Sequence, residues 1–261
     1  MSVATPQSAP SIRHLVGKFV VVVGGSSGVG YCVARVALEY GAKVLISSSN
    51  QTKVDAAVSR LLKTNPLFDG SISGLTVNAK DVKSIESFWD KVGKFDHLVW
   101  TAGDSVRPDF MQQDIETQKA FFDVRFWAPV ISAKYAQEKG LFNPGASMTM
   151  STGVVNRHPM KGFAIGAAVS GAIDSVTRGL AVELAPVRVN TVSMGGVETE
   201  LWDGLIPDIH MKEATKKFLI EHSLVKHLAQ PEEIAEAYLF VMKCTNVTGQ
   251  TIEVEGGALL T

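Results

Sequence analysis

The residues best suited to chemistry follow the first apolar run, where Phe19 to Val23 lead directly into Gly24-Gly25-Ser26-Ser27-Gly28-Val29-Gly30. Glycines in such a loop permit positive φ and let the backbone approach a pyrophosphate, whose charge is met by N–H groups at the start of the next helix. A plain strand-to-helix turn would carry similar glycines, but the position of this one inside a strand–helix–strand unit selects nucleotide binding. A second polar cluster, Ser47-Ser48-Ser49-Asn50, closes the next apolar run. An acid there would accept from a ribose 2′-hydroxyl and repel a 2′-phosphate. Instead there are three hydroxyls, an amide and the nearby Lys53, a set that suits a phosphate. An ordinary polar loop would look much the same. The balance favours NADP(H), with Ser48, Ser49 and Asn50 at its adenosine end.

The elements that must position these residues alternate along the chain. Strand-like β-branched runs fall at Phe19 to Val23, Lys43 to Ser47, Ser71 to Val77, Leu98 to Trp100, Ala146 to Met150, Val187 to Val192 and Thr251 to Val254. Helical patterns separate them at 29–40, 51–63, 84–93, 115–138, 163–184 and 231–243. Such alternation predicts an α/β fold: a Rossmann-type, doubly wound, seven-stranded parallel sheet in three αβα layers. With 261 residues, 46% of them hydrophobic, one domain over 16–261 accounts for the chain. Residues 1–15 read as a flexible Ser/Pro/Ala-rich tail. Residues 199–228, rich in His and Lys and without strand character, read as a substrate lid after the sixth strand.

Composition narrows the partners. A net charge of −1 with interspersed signs leaves no electrostatic footprint for nucleic acid, so a small-molecule substrate is expected. No apolar stretch has the length of a membrane span, and the N-terminus lacks the apolar core of a signal peptide. Cys32 and Cys244 stand far apart and outside any CxxC spacing, which argues against a disulfide framework and a thiolate metal site. A cytoplasmic, reducing location fits, and no metal is expected.

Taken in order, these motifs resemble the short-chain dehydrogenase/reductase family over about residues 18–260. Gly24-x-x-x-Gly28-x-Gly30, with Ser26, Ser27 and Val29 between and beside the glycines, is similar to the family's cofactor fingerprint. Asp81-Val82 resembles its pair beside the adenine, Thr101-Ala102-Gly103 its Asn-Ala-Gly, and Ser151-Thr152 its Ser-Ser segment. Arg188-Val189-Asn190, Gly195 with Val197 and Thr199, and Thr248-Gly249-Gln250 through Gly256-Gly257 follow its C-terminal half. The resemblance also implies a homodimer or homotetramer paired through the helices at 115–138 and 163–184.

The departures lie where that family does its acid chemistry. Aligned without insertion between Ser151 and Arg188, with Asp174 to Leu184 holding the helix register, the chain places Gly166 at the family's catalytic Tyr and Ser170 at its Lys. Arg125 stands at its helix-four Asn, and Met194 replaces a Pro. Tyr135-x-x-x-Lys139 has the right spacing but precedes Ser151, and reads as a surface pair near the end of a long helix. Without the Tyr, proton donation to a ketone oxygen has no carrier. Arg125 offers electrostatics but no transferable proton, and Ser151 and Thr152 offer unactivated hydroxyls.

Three functions remain open on these residues. One is hydride transfer to a pre-activated acceptor, an iminium ion or a conjugated system, with Arg125, Ser151 and Thr152 at the reacting end. Another is a non-redox or bifunctional cyclase or isomerase, in a pocket walled by Trp100, Trp127, Met160, Phe163, Gly166 and Trp202. The third is an inactive cofactor-binding partner. The combination also resembles fungal alkaloid-pathway members of the family, which lack Tyr and Lys and perform NADPH-dependent iminium reduction and a [4+2] cyclisation. There an Arg works with the Asp of a Pro-Asp-Pro-Gly-Trp segment. Here the segment is Pro159-Met160-Lys161-Gly162-Phe163, which matches the first Pro and the Gly but not the Asp.

Overall fold

The computed structural model describes residues 13–104, 109–202, 206 and 208–261. Seven parallel strands form one sheet: β1 Phe19–Val23, β2 Lys43–Ser48, β3 Ile72–Thr76, β4 Phe95–Trp100, β5 Phe142–Gly153, β6 Arg188–Met194 and β7 Thr251–Val254. Their order is β3-β2-β1-β4-β5-β6-β7. The register pairs Val21 with Leu45 on one side and with Leu98 on the other. The central strands read as almost continuous apolar runs because helices cover both faces.

Period-two alternation divides β1 between two cores. Val20 and Val22 enter one with α1 Gly28–Glu39, α2 Gln51–Thr64 and α8 Pro231–Lys243. Val21 and Val23 enter the other with α3 Val82–Val92, α5 Ala128–Glu138 and α6 Ala164–Glu183. In the second core Trp89 is fully buried against the Phe88 and Phe95 rings, each 5.0 Å away between centroids. Truncating such a side chain costs about 3–5 kcal/mol. Arg188 serves the fold: its guanidinium donates to the carbonyls of Val241, Met242 and Val247, holding the end of α8 against β6.

Two expectations change and a third gains detail. Leu15, placed in the tail, is fully buried at the edge of the first core, so the ordered domain includes the turn Arg13–Leu15. The helix expected over 115–138 is three pieces: α4 Ile115–Lys119, a π-helical turn Asp123–Trp127, and α5 with Pro129 in its first turn. Within 199–228 lies a further helix, α7 Ile209–Glu221.

Candidate active site

Strand order reverses beside β1, and α1 begins at that switch point, where ligands bind in open α/β sheets. A cleft of about 1140 Å³ opens there. The loop from β1 packs so tightly that a Cβ on Gly30 would overlap the carbonyl oxygen of Gly24 and the hydroxyl of Thr101. Gly24 itself has φ +94°, in the region glycine favours. The result is a backbone cradle at a helix N-terminus, the shape and polarity an anionic dinucleotide requires.

Of the expected cofactor residues, Gly24, Ser26, Ser27, Gly28, Val29, Gly30, Ser48, Ser49, Thr101, Ala102, Gly103, Gly195, Val197 and Thr199 line this cleft. Asn50, Asp81 and Val82 lie elsewhere. Asn50 caps α2 by accepting from the Lys53 amide, and Asp81 caps α3 by accepting from the Lys83 amide. Val82 is exposed in the first turn of α3. The cleft wall after β3 is instead Val77 to Lys80. An Asp just before an amphipathic run is also an N-cap signature, and that is the role Asp81 fills here.

At the other end stands Arg125. The π turn carries it: the Ala128 amide reaches back to Asp123, and the Trp100 indole donates to the Val124 carbonyl at 2.9 Å. Arg125 is partly buried, its guanidinium donates through Nη2 to the Asp104 carbonyl at 2.7 Å, and its buried Nε has no hydrogen-bond partner among the described residues. Burial lowers its pKa from the ordinary value while the Asp104 charge pulls it up. Lys80 in turn pairs with the Asp104 carboxylate at 2.9 Å.

Ser151 and Thr152 part company. Ser151 Oγ is 2.7 Å from the Trp100 carbonyl and 2.6 Å from the buried Tyr238 hydroxyl, so it braces the core instead of facing the cleft. Burial pushes the Tyr238 phenol pKa up. Thr152 lines the cleft, and its buried hydroxyl has no hydrogen-bond partner among the described residues, which leaves it unpaired beside the cleft.

The expected substrate wall is redistributed as well. Trp202 lines the cleft, whereas Trp100 is buried in the second core, and Trp127 is 51% exposed against the edge of Phe126. Met160 is 43% exposed in the turn before α6, and Phe163 caps that helix beside Gly166. A Cβ on Gly166 would meet only Phe163, at 3.5 Å, so a side chain has room there. None of the chain's four tyrosines lines the cleft. Tyr135 of α5 donates to Asp90, and Lys139, the C-cap of that helix, lies over its ring; neither lines the cleft.

Lys53, expected near the phosphate, reaches the cleft from α2, and so does Arg60, seven residues on along the same helical face, which the sequence reading missed. Arg60 donates to the Ser26 carbonyl at 3.2 Å and lies 3.8 Å over the Tyr31 ring. That spacing was visible, but its direction depends on how α2 packs. Lys80, Asp104 and Glu200 complete the charged lining.

Among the described residues no cluster suits a metal ion, and no helix is long and apolar enough to cross a membrane. Comparison with known proteins agrees with the geometry. The family description "SDR-like Rossmann domain" matches residues 12–261. The short-chain dehydrogenase/reductase fsr5 of Gibberella fujikuroi is 33% identical over 258 residues, which span 95% of this chain and 97% of fsr5. The short-chain dehydrogenase/reductase malC of Malbranchea aurantiaca is 34% identical, over 97% of this chain and 99% of malC. The solved structure of that organism's MalC, described as a reductase/Diels-Alderase, superposes with a TM-score of 0.87 at 33% identity, covering 96% of this chain and 100% of MalC. A small-chain dehydrogenase solved in complex with NADPH superposes at 0.76 with 28% identity, over 94% of this chain and 100% of that one. With the glycine cradle at the switch point and likeness along nearly the whole chain, this protein belongs to the short-chain dehydrogenase/reductase family.

Proposed function

We propose that the protein is an NADP(H)-dependent reductase of a pre-activated small molecule, an iminium ion or a conjugated acceptor. One observation carries the reading: the cleft joins a dinucleotide cradle to a reacting end furnished with Arg125 and Thr152 and without a tyrosine.

The cradle of Gly24 to Gly30 would hold the pyrophosphate, Asn78 and Ala79 would flank the adenine, and Ser48, Ser49, Lys53 and Arg60 would receive the 2′-phosphate. Arg60 supplies the guanidinium that the end of β2 lacks. The 28%-identical relative bound to NADPH supports that choice of cofactor.

When bound, the cofactor supplies a hydride. Reducing a plain ketone also needs a proton at oxygen. A guanidinium holds its proton to about pH 12, and an unactivated threonine hydroxyl is a poor acid at neutral pH. An iminium carbon accepts hydride and becomes a neutral amine with no proton required. A conjugated acceptor takes hydride at its far carbon and moves negative charge onto its oxygen. Arg125 and Thr152 can both donate to that oxygen in a partly enclosed site. The test is to follow the loss of nicotinamide absorbance with a cyclic iminium, an unsaturated carbonyl compound and a simple ketone. Turnover of the first two and not of the ketone is expected, and preference for the ketone sinks the proposal.

A second reading, cyclisation, draws support from the likeness to MalC. It loses support from Met160, which stands where the related alkaloid-pathway proteins carry an Asp. Product formed without consumption of NADPH would favour it.

A further inference from the structure

Gly28 opens α1, and its amide donates to Oε2 of Glu200 at 2.9 Å, across 172 residues of sequence. The residue before Glu200 also touches this spot: a Cβ on Gly28 would come within 3.2 Å of Thr199 Cγ2. Both residues line the cleft. The chain just before them is anchored. Val197 bridges to Ala229, the Glu198 amide donates to the Ala229 carbonyl at 3.0 Å, and the Glu198 carboxylate pairs with Lys216 of α7. Leu219 of α7 and Leu228 close over Gly196. Glu200 is therefore presented to the helix N-terminus on a short tether.

One of the N–H groups that a pyrophosphate would meet at the N-terminus of α1 already holds a carboxylate. The two anions cannot share it, because in a partly enclosed cleft their repulsion adds to the loss of a charge-assisted hydrogen bond. We propose that Glu200 is an intramolecular stand-in for the dinucleotide's pyrophosphate: it holds the lid segment down on α1 in the cofactor-free protein and is expelled when the dinucleotide enters. This rests on reading the cleft as a dinucleotide site. Expulsion frees Thr199 to Trp202, which line the same cleft and include Trp202 of the expected substrate wall, so cofactor entry is coupled to shaping of that wall. The apparent cofactor affinity is then reduced by the fraction of molecules in which Glu200 is seated.

The test compares the full-length wild type with Glu200→Gln and Glu200→Ala. NADPH binding is titrated by fluorescence, adenosine 2′-monophosphate binding by calorimetry, and exchange of the Gly28 amide by hydrogen–deuterium measurement. Adenosine 2′-monophosphate carries the 2′-phosphate and no pyrophosphate. Both variants should bind NADPH about 3–10-fold more tightly than wild type and adenosine 2′-monophosphate equally well, the size set by one charged hydrogen bond at a solvated edge. In the cofactor-free state, Gly28 should exchange faster in Glu200→Ala than in wild type. If the wild type binds NADPH and both variants bind it no better, Glu200 is not a competitor and this proposal alone fails. Equal tightening toward adenosine 2′-monophosphate, or unchanged Gly28 exchange, also overturns it. If no form binds NADPH, the dinucleotide reading fails and this one with it.

Discussion

Arg125 and Gly103 compete for one space: a methyl group on Gly103 would lie 2.6 Å from Nη2 of Arg125 and overlap the rest of its guanidinium. The glycine after β4 thus does more than line the cofactor cleft. It lets a long charged side chain from the π turn lie flat against the backbone and reach the Asp104 carbonyl.

Gly103→Ala should therefore copy Arg125→Ala. Each is expected to lower kcat/KM on a conjugated acceptor by about 100-fold, the scale of losing one preorganised donor to a developing oxyanion. The double variant should add little, because both changes remove one interaction. Turnover of an iminium substrate, which develops no oxyanion, should fall much less. Additive losses, or equal losses on both substrates, would assign Arg125 to general packing.

Arg60 should set the choice between the two nicotinamide dinucleotides. Arg60→Ala is expected to weaken NADPH binding about tenfold and leave NADH binding unchanged, a modest effect because the guanidinium is solvated and screened. The difference should shrink as salt is raised. Equal weakening of both cofactors would show that Arg60 supports the Ser26 carbonyl and not a 2′-phosphate.

The fold and half of the site were legible because their signals are local. β-Branched runs such as Phe19 to Val23 and the loop Gly24 to Gly30 carry their structural meaning in neighbouring residues. The break near Phe122 was not read, although Pro129 marks a helix start, because the apolar pattern runs on through it. The π turn inserts an extra residue, and Trp127, which ends it, is exposed and does not line the cleft. Ser151 and Thr152 are adjacent on β5 and so point to opposite faces; only the sheet shows which face holds Tyr238 and which the cleft. Arg60 and Glu200 were beyond local reading, since each meets the glycine loop only through the packing of α2 and of the segment after β6.

That opposition of Ser151 and Thr152 separates stability from turnover. Ser151→Ala strips a partner from the fully buried Tyr238 hydroxyl and should cost about 1–3 kcal/mol in urea unfolding, with kcat of the folded enzyme maintained. Thr152→Val removes a hydroxyl without a partner among the described residues, so stability should hold while kcat/KM falls about tenfold or more. Reversal of the two outcomes would return Ser151 to the site.

His97 should make stability depend on pH. It is 4% exposed on β4, its Nδ1 is 2.8 Å from Ser147 Oγ, and burial pulls its pKa down from 6.5 to about 4, with Asp96 opposing and Arg188 and Lys18 assisting. In the unfolded chain the imidazole takes up a proton below about pH 6.5, while in the folded chain it stays neutral until about pH 4. The unfolded state therefore binds more protons throughout that window, and stability falls as pH is lowered through it. One group with this depression removes about 2 kcal/mol between pH 7 and pH 5. Asp96, whose pKa is lowered below the ordinary carboxylate value, stays charged over that interval and adds no slope. Urea unfolding at the two pH values checks the effect: His97→Gln should lose most of the difference, and an unchanged difference would place the proton uptake on other groups.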